Sequence, residues 1–418
     1  MADIQMRFHK DMLALTSPLK PVLRHQGFDT RDLAQAHFIE EDTLREGYRM
    51  LCASMAPVIV TETADFLPAR LAHAGLSDKL PELARVALSI VNSFKPQHIL
   101  VELGESGLPL DPTSKTSLLE HRSQYERAGK AFEEACAGVC VSSAKTSANR
   151  AKTGMNTSLR TCAPCAFDAF LLSGFTSTTT LKCALMGLAK VSSKPVFATV
   201  CVDADGNLLK DAGWQNKGWR GAHTDSHDDC AKERDAGSRN STQRIDEGDT
   251  SHEEAKRNPK TPASETLASA YEIMAEYGAS VIGFQTAADT EHMFDMAKLA
   301  VEKYNLPAMV EILAGKSVSS RLMSSDLHSS ATLNSSNKGS SKSSKPGACS
   351  TSSPYTNPND MFEVAERMHN AGVQFLRAAG DSTPAFASAL AASCAGVDVK
   401  RITTYNNRAG ADVKRCDL

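Results

Sequence analysis

Charged and hydroxyl side chains stand where the apolar runs of this sequence end. Most of these side chains are carboxylates, and they are joined by one basic residue, Arg377. A guanidinium can form a bidentate pair with the carboxylate of a small molecule, or it can neutralise a neighbouring side chain such as Asp381 or a glutamate. The sequence leaves both roles of Arg377 open. The candidate ligand-binding residues are Asp11, Thr61, Glu62, Thr63, Glu102, Glu105, Ser173, Gln285, Glu311, Arg377 and Asp381.

Two further groups of side chains are of the types that bind metal ions. Cys162 and Cys165 form a CxxC pair, and Cys136 and Cys140 lie upstream at CxxxC spacing, which suits a four-thiolate zinc site. The simpler interpretation is a set of incidental cysteines beside a polar insertion. Residues 223–230 include histidines, aspartates and a cysteine. Nothing in such a polar stretch positions ligands in advance, so a solvated loop is the preferred interpretation there.

The elements that must position the candidate residues alternate regularly along the chain. Near-continuous apolar runs, such as residues 99–103, 195–202 and 373–376, predict buried strands, and patterns of helical period between them predict amphipathic helices. A weaker first strand near residues 6–12 completes a set of eight strands, each followed by a helix. This pattern predicts a (β/α)₈ TIM barrel of the α/β class. A doubly wound open sheet is the alternative, because strand number alone does not establish closure.

Three polar stretches interrupt this alternation, at residues 137–165, 209–263 and 316–353. They are rich in serine, threonine and charged residues and poor in large aliphatic ones. Such segments bury too little apolar surface to offset the entropy lost on ordering, so we predict that they are disordered insertions. The remaining chain has the size of one barrel. Residues 1–418 are therefore predicted to form a single domain.

The overall composition excludes several classes of function. The 418 residues are 41% hydrophobic and carry a formal net charge of −3, which gives no basic surface for nucleic acid. We find no run of about 18 apolar residues that could cross a membrane, and no apolar core of a secretory signal near the N-terminus. The 11 cysteines are scattered, unlike those of a small disulfide scaffold. We expect a cytoplasmic protein that binds neither nucleic acid nor membranes.

Several short segments resemble the homocysteine S-methyltransferase family, whose barrel also occurs at the N-terminal end of cobalamin-dependent methionine synthase. The resemblance covers most of the chain outside the insertions, and the order of the segments is its most specific feature. It implies a (β/α)₈ barrel and methyl transfer involving a small thiol, a folate or a corrinoid partner at the C-terminal mouth. The segments are Thr61-Glu-Thr63, Leu103-Gly-Glu-Ser-Gly107, Val200-Cys-Val-Asp-Ala-Asp-Gly206 and Asn370-Ala-Gly-Val-Gln-Phe-Leu376.

The zinc-binding cysteines that the resemblance implies are replaced in this sequence. The family has one thiolate in a Gly-x-Asn-Cys motif after the sixth strand and two in a Gly-Gly-Cys-Cys-Gly-Thr-Thr-Pro turn after the eighth. Thr286, Ala379 and Gly380 stand at the matching positions here. A hydroxyl, a methyl group and a hydrogen cannot bind zinc as thiolates do, so we expect zinc-dependent activity to be absent or very slow.

Other functional positions of the family also differ. The family's substrate-binding glutamate after the fourth strand is matched by Ser173, and its Asp-Gly-Ala-Met-Gly-Thr loop is represented only by residues 11–16. Two hypotheses follow. The protein is a methyltransferase that acts on a small-molecule substrate with a folate or corrinoid methyl donor. Alternatively, it is a non-catalytic barrel that binds a small ligand or a corrinoid protein partner.

Overall fold

The computed structural model describes residues 3–30, 33–137, 166–209, 265–315 and 353–399. The three predicted insertions lie outside these residues, apart from residues 137, 209 and 353. Within the described chain, eight parallel strands pair in sequence order, and the eighth strand pairs with the first to close a barrel. The predicted (β/α)₈ barrel is confirmed, and the open doubly wound sheet is excluded. None of the described helices is long and apolar enough to cross a membrane.

Each strand is followed by at least one helix packed on the outside of the barrel. The strands are β1 Leu13–Leu15, β2 Val58–Val60, β3 His98–Leu103, β4 Ala169–Phe175, β5 Val196–Cys201, β6 Val281–Thr286, β7 Ala308–Ala314 and β8 Phe375–Gly380. The helices are α1 Leu19–His25, α2 Leu33–Ile39, α3 Glu41–Cys52, α4 Pro68–Ala72, α5 Leu80–Asn92, α6 Lys115–Cys136, α7 Thr178–Ala189, α8 Leu267–Glu276, α9 Thr290–Tyr304, α10 Asp360–Asn370 and α11 Pro384–Cys394.

Both faces of the strands are buried, because side chains alternate between the barrel interior and the layer beneath the helices. Leu100, Phe197, Met309 and Phe375 belong to the interior cluster of buried side chains, and a larger cluster fills the helix-facing layer. The rings of Phe197 and Phe375 meet edge to face, with centroids 4.8 Å apart. Apolar packing therefore fills the interior up to the C-terminal end, which is left for polar side chains.

The segment before β1 closes the N-terminal end of the barrel. It begins with a 3₁₀ helix, Ile4–Arg7, whose buried Ile4 joins the interior cluster. Phe8 packs edge to face on both Phe197 and Phe375, with centroids 6.0 Å apart in each pair. The prediction of a first strand near residues 6–12 is wrong, because this segment turns across the end of the barrel to pack Ile4 and Phe8 on the interior cluster, and β1 begins at Leu13.

The revised position of the first strand also moves Asp11. Because β1 begins at Leu13, Asp11 precedes the strand and lies at the N-terminal end of the barrel. Its carboxylate accepts a hydrogen bond from Arg7 Nε at 2.9 Å, and Asp11 forms an isolated bridge with Asp398. The predicted location of Asp11 at the mouth was therefore wrong.

Candidate functional site

Five of the sequence-predicted polar side chains lie at the C-terminal end of the barrel interior, and we call these five the mouth layer. Each stands two residues after a position in the barrel interior, so the two-residue period of a strand points it inward. Direct contacts join all five into one network, so the structure brings together these sequence-predicted residues from five different strands. The members are Glu102 of β3, Ser173 of β4, Gln285 of β6, Glu311 of β7 and Arg377 of β8.

Arg377 is the centre of the mouth layer and is only 2% exposed. Its Nη1 and Nη2 atoms donate to the two carboxylate oxygens of Glu102 at 2.8 and 3.0 Å. Nη1 also donates to Glu311 at 3.3 Å, and Nε donates to the carbonyl oxygen of Thr16 at 3.3 Å. Of the two roles that the sequence left open, the structure supports neutralisation of neighbouring glutamates.

Glu311 is the most deeply buried carboxylate of the mouth layer, with no exposed surface. It accepts hydrogen bonds from the hydroxyls of Thr199 at 2.7 Å and Ser173 at 3.1 Å, and from the amide of Gln285 at 3.2 Å. Burial raises the pKa of Glu311, and the nearby charge of Arg377 only partly opposes this effect. This carboxylate therefore holds a proton more readily than an exposed glutamate does.

A second ionic group lies beside the mouth layer, at the end of β2. Lys20 Nζ lies 3.4 Å from Glu62 and 3.0 Å from Asp65. The buried Glu62 also accepts a hydrogen bond from the backbone N–H of Leu19 at 2.9 Å. Burial raises the pKa of Glu62, while the charge of Lys20 acts in the opposite direction. Like Glu311, Glu62 is a buried carboxylate with an increased tendency to hold a proton.

Carboxylates outnumber cations across these two groups. Asp65 is half exposed, but Glu62, Glu102 and Glu311 are buried, so full ionisation would place three buried carboxylates against the two cations Lys20 and Arg377. A proton on a buried glutamate reduces this excess, and so would a positively charged ligand. Glu62 and Glu102 retain 7% and 8% exposure, whereas Glu311 has no exposed surface.

Thr61 and Thr63, also predicted from the sequence, connect β2 to β3. Their hydroxyl oxygens lie 2.6 Å apart, and both side chains are fully buried. The Thr63 hydroxyl also donates to the carbonyl oxygen of Glu102 at 2.8 Å. Because these hydroxyls are inaccessible from the mouth, they stabilise the strand ends rather than offering groups to a ligand.

Two predicted carboxylates lie at the rim of the barrel, outside the mouth layer. Asp381 accepts a hydrogen bond from Arg24 at 2.7 Å, and both side chains are partly exposed. Glu105 accepts a hydrogen bond from the backbone N–H of Thr176 at 2.8 Å, which ties the loop after β3 to the loop after β4. Their contacts hold neighbouring segments together at the C-terminal end.

Sequence reasoning missed three side chains that complete the site: Lys20, Thr199 and Cys201. Both β5 residues contact the mouth layer, since Thr199 donates to Glu311 and the Cys201 sulfur lies 2.8 Å from the Gln285 side-chain oxygen. Alternation within the apolar run of β5 could have identified both. Burial raises the pKa of the Cys201 thiol, so it is poorly suited to act as a nucleophile.

The positions matched to the family's zinc ligands lie at the ends of β6 and β8, on either side of β7. The Thr286 hydroxyl accepts a hydrogen bond from a backbone N–H two residues further on. Ala379 packs with Leu313 and Ala287 in a small apolar cluster, and Gly380 ends β8. These residues offer no thiolate to zinc. The described residues also contain no group of three or more His, Cys, Asp or Glu side chains arranged to hold a metal.

The two other sequence motifs considered for metal binding fall largely or wholly outside the described residues. Cys140, Cys162 and Cys165 all lie there, although Cys136 is the last residue of α6. Residues 223–230 also lie outside the described part of the chain. The interpretation of both motifs therefore stays a prediction.

Known structures share this architecture at low sequence identity. The metallated form of the homocysteine methyltransferase MmuM from Escherichia coli superposes with a TM-score of 0.54 at 11% identity, covering 91% of this chain and 96% of that chain. Its oxidized form gives 0.54 at 10% identity with the same coverage, and its apo form gives 0.50 at 10% identity. No protein-family model and no curated protein sequence matches this chain. At this identity the similarity establishes a shared (β/α)₈ fold.

Proposed function

We propose that this protein is a methyltransferase-like barrel that binds a small molecule with a positively charged group at its mouth. The proposal depends on one observation, that three buried carboxylates, Glu62, Glu102 and Glu311, are paired with two cations, Lys20 and Arg377. A cationic group on the ligand would offset the excess negative charge. Glu62 and Glu102 are the carboxylates that such a group would reach, since both retain some exposure.

The proposed reaction is methyl transfer to or from a thiol, with a folate or corrinoid partner as the methyl carrier. This reaction class comes from the sequence resemblance, and the fold shared with a homocysteine methyltransferase supports it. The zinc step has no support, because Thr286, Ala379 and Gly380 supply no thiolate. We therefore assign removal of the thiol proton to Glu62, which combines a pKa raised by burial with residual exposure.

Methionine formation from homocysteine tests this proposal. Purified protein is incubated with homocysteine and either methyltetrahydrofolate or methylcobalamin, with added zinc or with a chelator, and methionine is measured by mass spectrometry. We expect turnover that does not respond to zinc. Glu62→Gln should reduce it about 100-fold or more, in the range of lost general-base catalysis. Asp65→Asn is the control, because Asp65 is the other partner of Lys20 and its side chain is half exposed. This variant should keep near wild-type activity.

Two outcomes would contradict this assignment. Robust zinc-dependent methionine formation would show that Thr286, Ala379 and Gly380 do not mark the family's metal position. Equal activity of wild type and Glu62→Gln would remove Glu62 from the reaction. A complete lack of turnover with either methyl carrier would favour the second candidate function.

The second candidate is a non-catalytic barrel that binds a small ligand or a corrinoid protein. It is favoured by the pairing of Arg377, whose Nη atoms are both engaged by Glu102. Under this hypothesis Glu102→Gln weakens ligand or corrinoid-protein binding, measured by calorimetry, and no variant changes a reaction rate. Loss of turnover in a folded Glu102→Gln protein would instead identify an enzyme.

A further inference from the structure

A groove on the outer surface of the barrel lies apart from the mouth layer, between α6, α7 and α8. It has a volume of about 480 Å³, within the usual size of a small-molecule site. Most of its wall is apolar and includes Leu118, Met186 and Ile273. Leu119 also lines it and is 52% exposed, although it is a large hydrophobic side chain. An exposed apolar surface of this shape is typical of a binding site.

The charged side chains that line the groove are all basic: Lys115, Arg122 and Lys182. Arg122 Nε lies 2.9 Å from Glu126, so the charge of this residue is partly balanced. Lys182 lies over the ring of Tyr277, with its Nζ 4.4 Å from the ring centroid. Lys115 forms no ion pair with any of the described residues, so its ammonium group remains available to a ligand.

The first turns of two helices border the groove. Lys115 and Leu118 belong to the start of α6, and Thr178 and Thr179 belong to the start of α7, and all four line the groove. The N-terminal end of a helix carries partial positive charge from its unpaired N–H groups. Both helix ends already have partners here: the Ser114 hydroxyl accepts from the N–H of Ser117, and the Glu265 carboxylate accepts from the N–H and the hydroxyl of Thr178 at 3.0 and 2.8 Å. The groove thus combines an apolar wall with basic side chains.

We propose that this groove binds a small molecule with an apolar chain and a terminal anionic group, either a carboxylate or a phosphate. The apolar chain would pack against Leu118, Met186 and Ile273, and the anionic group would lie near Lys115. This pairing follows from charge complementarity, because a cationic ligand would meet three basic side chains. The groove is separate from the mouth layer, so this site does not depend on the proposed methyl transfer.

Octanoate, octyl phosphate and octylammonium are suitable probes, because they share a chain and differ in the head group. Binding is followed through the ¹³C-methyl signal of Met186, assigned with Met186→Leu. Met309, buried inside the barrel, serves as the internal reference. We expect the two anions to shift the Met186 signal saturably and the Met309 signal to stay in place. The affinities of octanoate and octyl phosphate then tell which anionic group is preferred, and both should weaken with added salt.

Lys115→Glu tests the charge contribution directly. At the surface, reversing one charge near a ligand anion should weaken octanoate binding roughly tenfold. Lys130→Glu is the matched control, since Lys130 lies on the same helix, is 69% exposed and does not line the groove. Three results would overturn the proposal: octylammonium binding as tightly as octanoate, equal loss in the two variants, or concentration-dependent self-association abolished by Leu119→Glu. The last result would identify the groove as an interface between copies of this chain.

Discussion

Replacing Arg377 with methionine is the most direct test of the ionic mouth layer. Arg377 is 2% exposed and is shared by Glu102 and Glu311, so its loss leaves two carboxylates without their cation. Removing one partner of a buried ion pair costs about 3–5 kcal/mol of unfolding free energy. We expect Arg377→Met to lose stability in this range. Methionine has a similar length and creates little empty volume, so the loss reports charge rather than packing.

The pH dependence of this loss separates an electrostatic effect from a packing effect. Burial already raises the pKa of Glu311 in the wild type, and removal of the nearby positive charge would raise it further. A carboxyl group with a raised pKa stabilises the folded state below its unfolded-state pKa, and this contribution is lost as the pH rises through the folded-state pKa. The unfolding free energy that Arg377→Met loses relative to the wild type should therefore be smaller at pH 5 than at pH 8.

Urea-induced unfolding of the wild type and variants from pH 5 to pH 8 measures both effects. Arg24→Met is the matched control, because Arg24 pairs with Asp381 at 2.7 Å but both side chains are partly exposed. An exposed pair of this kind contributes about 1 kcal/mol or less. If Arg377→Met were no more destabilising than Arg24→Met, or if its deficit did not change with pH, our account of the mouth layer would be refuted.

Two further predictions concern the fold around the site. His37 is buried, and burial lowers its pKa from 6.5 to about 4. The stability associated with neutral His37 is present above pH 6.5 and is lost as the pH falls toward 4, by up to about 3 kcal/mol. In urea unfolding between pH 4 and pH 7, His37→Gln should lose less stability on acidification than the wild type. Gly283→Ala would place a Cβ atom 2.1 Å from the Met309 carbonyl oxygen, so its thermal midpoint should fall sharply, whereas an unchanged midpoint would disprove this crowding.

The fold was predictable from the sequence because strand and helix periods alternate through most of the chain. The apolar runs of β3, β5 and β7 are buried along their whole length, as expected for parallel strands covered on both faces. The structure of the segment before β1 was not predictable in the same way. Ile4 and Phe8 produce an apolar pattern, but they close the N-terminal end of the barrel only through tertiary contacts, which include the rings of Phe197 on β5 and Phe375 on β8.

The candidate site was predictable in part. The rule that polar residues at strand C-termini face the mouth identified Glu102, Glu311 and Arg377 correctly as neighbours. It could not assign their partners, because pairing depends on which strands face each other across the barrel. It also missed Lys20, which belongs to α1 rather than to a strand and reaches Glu62 only through the fold.

The mouth layer and Ala379, one of the positions matched to the family's zinc ligands, occupy successive levels of the same barrel end. Ala379 and Leu313 follow Arg377 and Glu311 by two residues on β8 and β7, which corresponds to a rise of about 6.6 Å along a strand. The outer level carries the apolar cluster of Ala287, Leu313 and Ala379, in which Ala379 stands at one of the matched zinc-ligand positions. Under the proposed function, a ligand that enters from the C-terminal end would pass this apolar cluster before it reaches the carboxylates. This order favours a small molecule with a cationic group on an apolar body over a hydrophilic anion such as free phosphate.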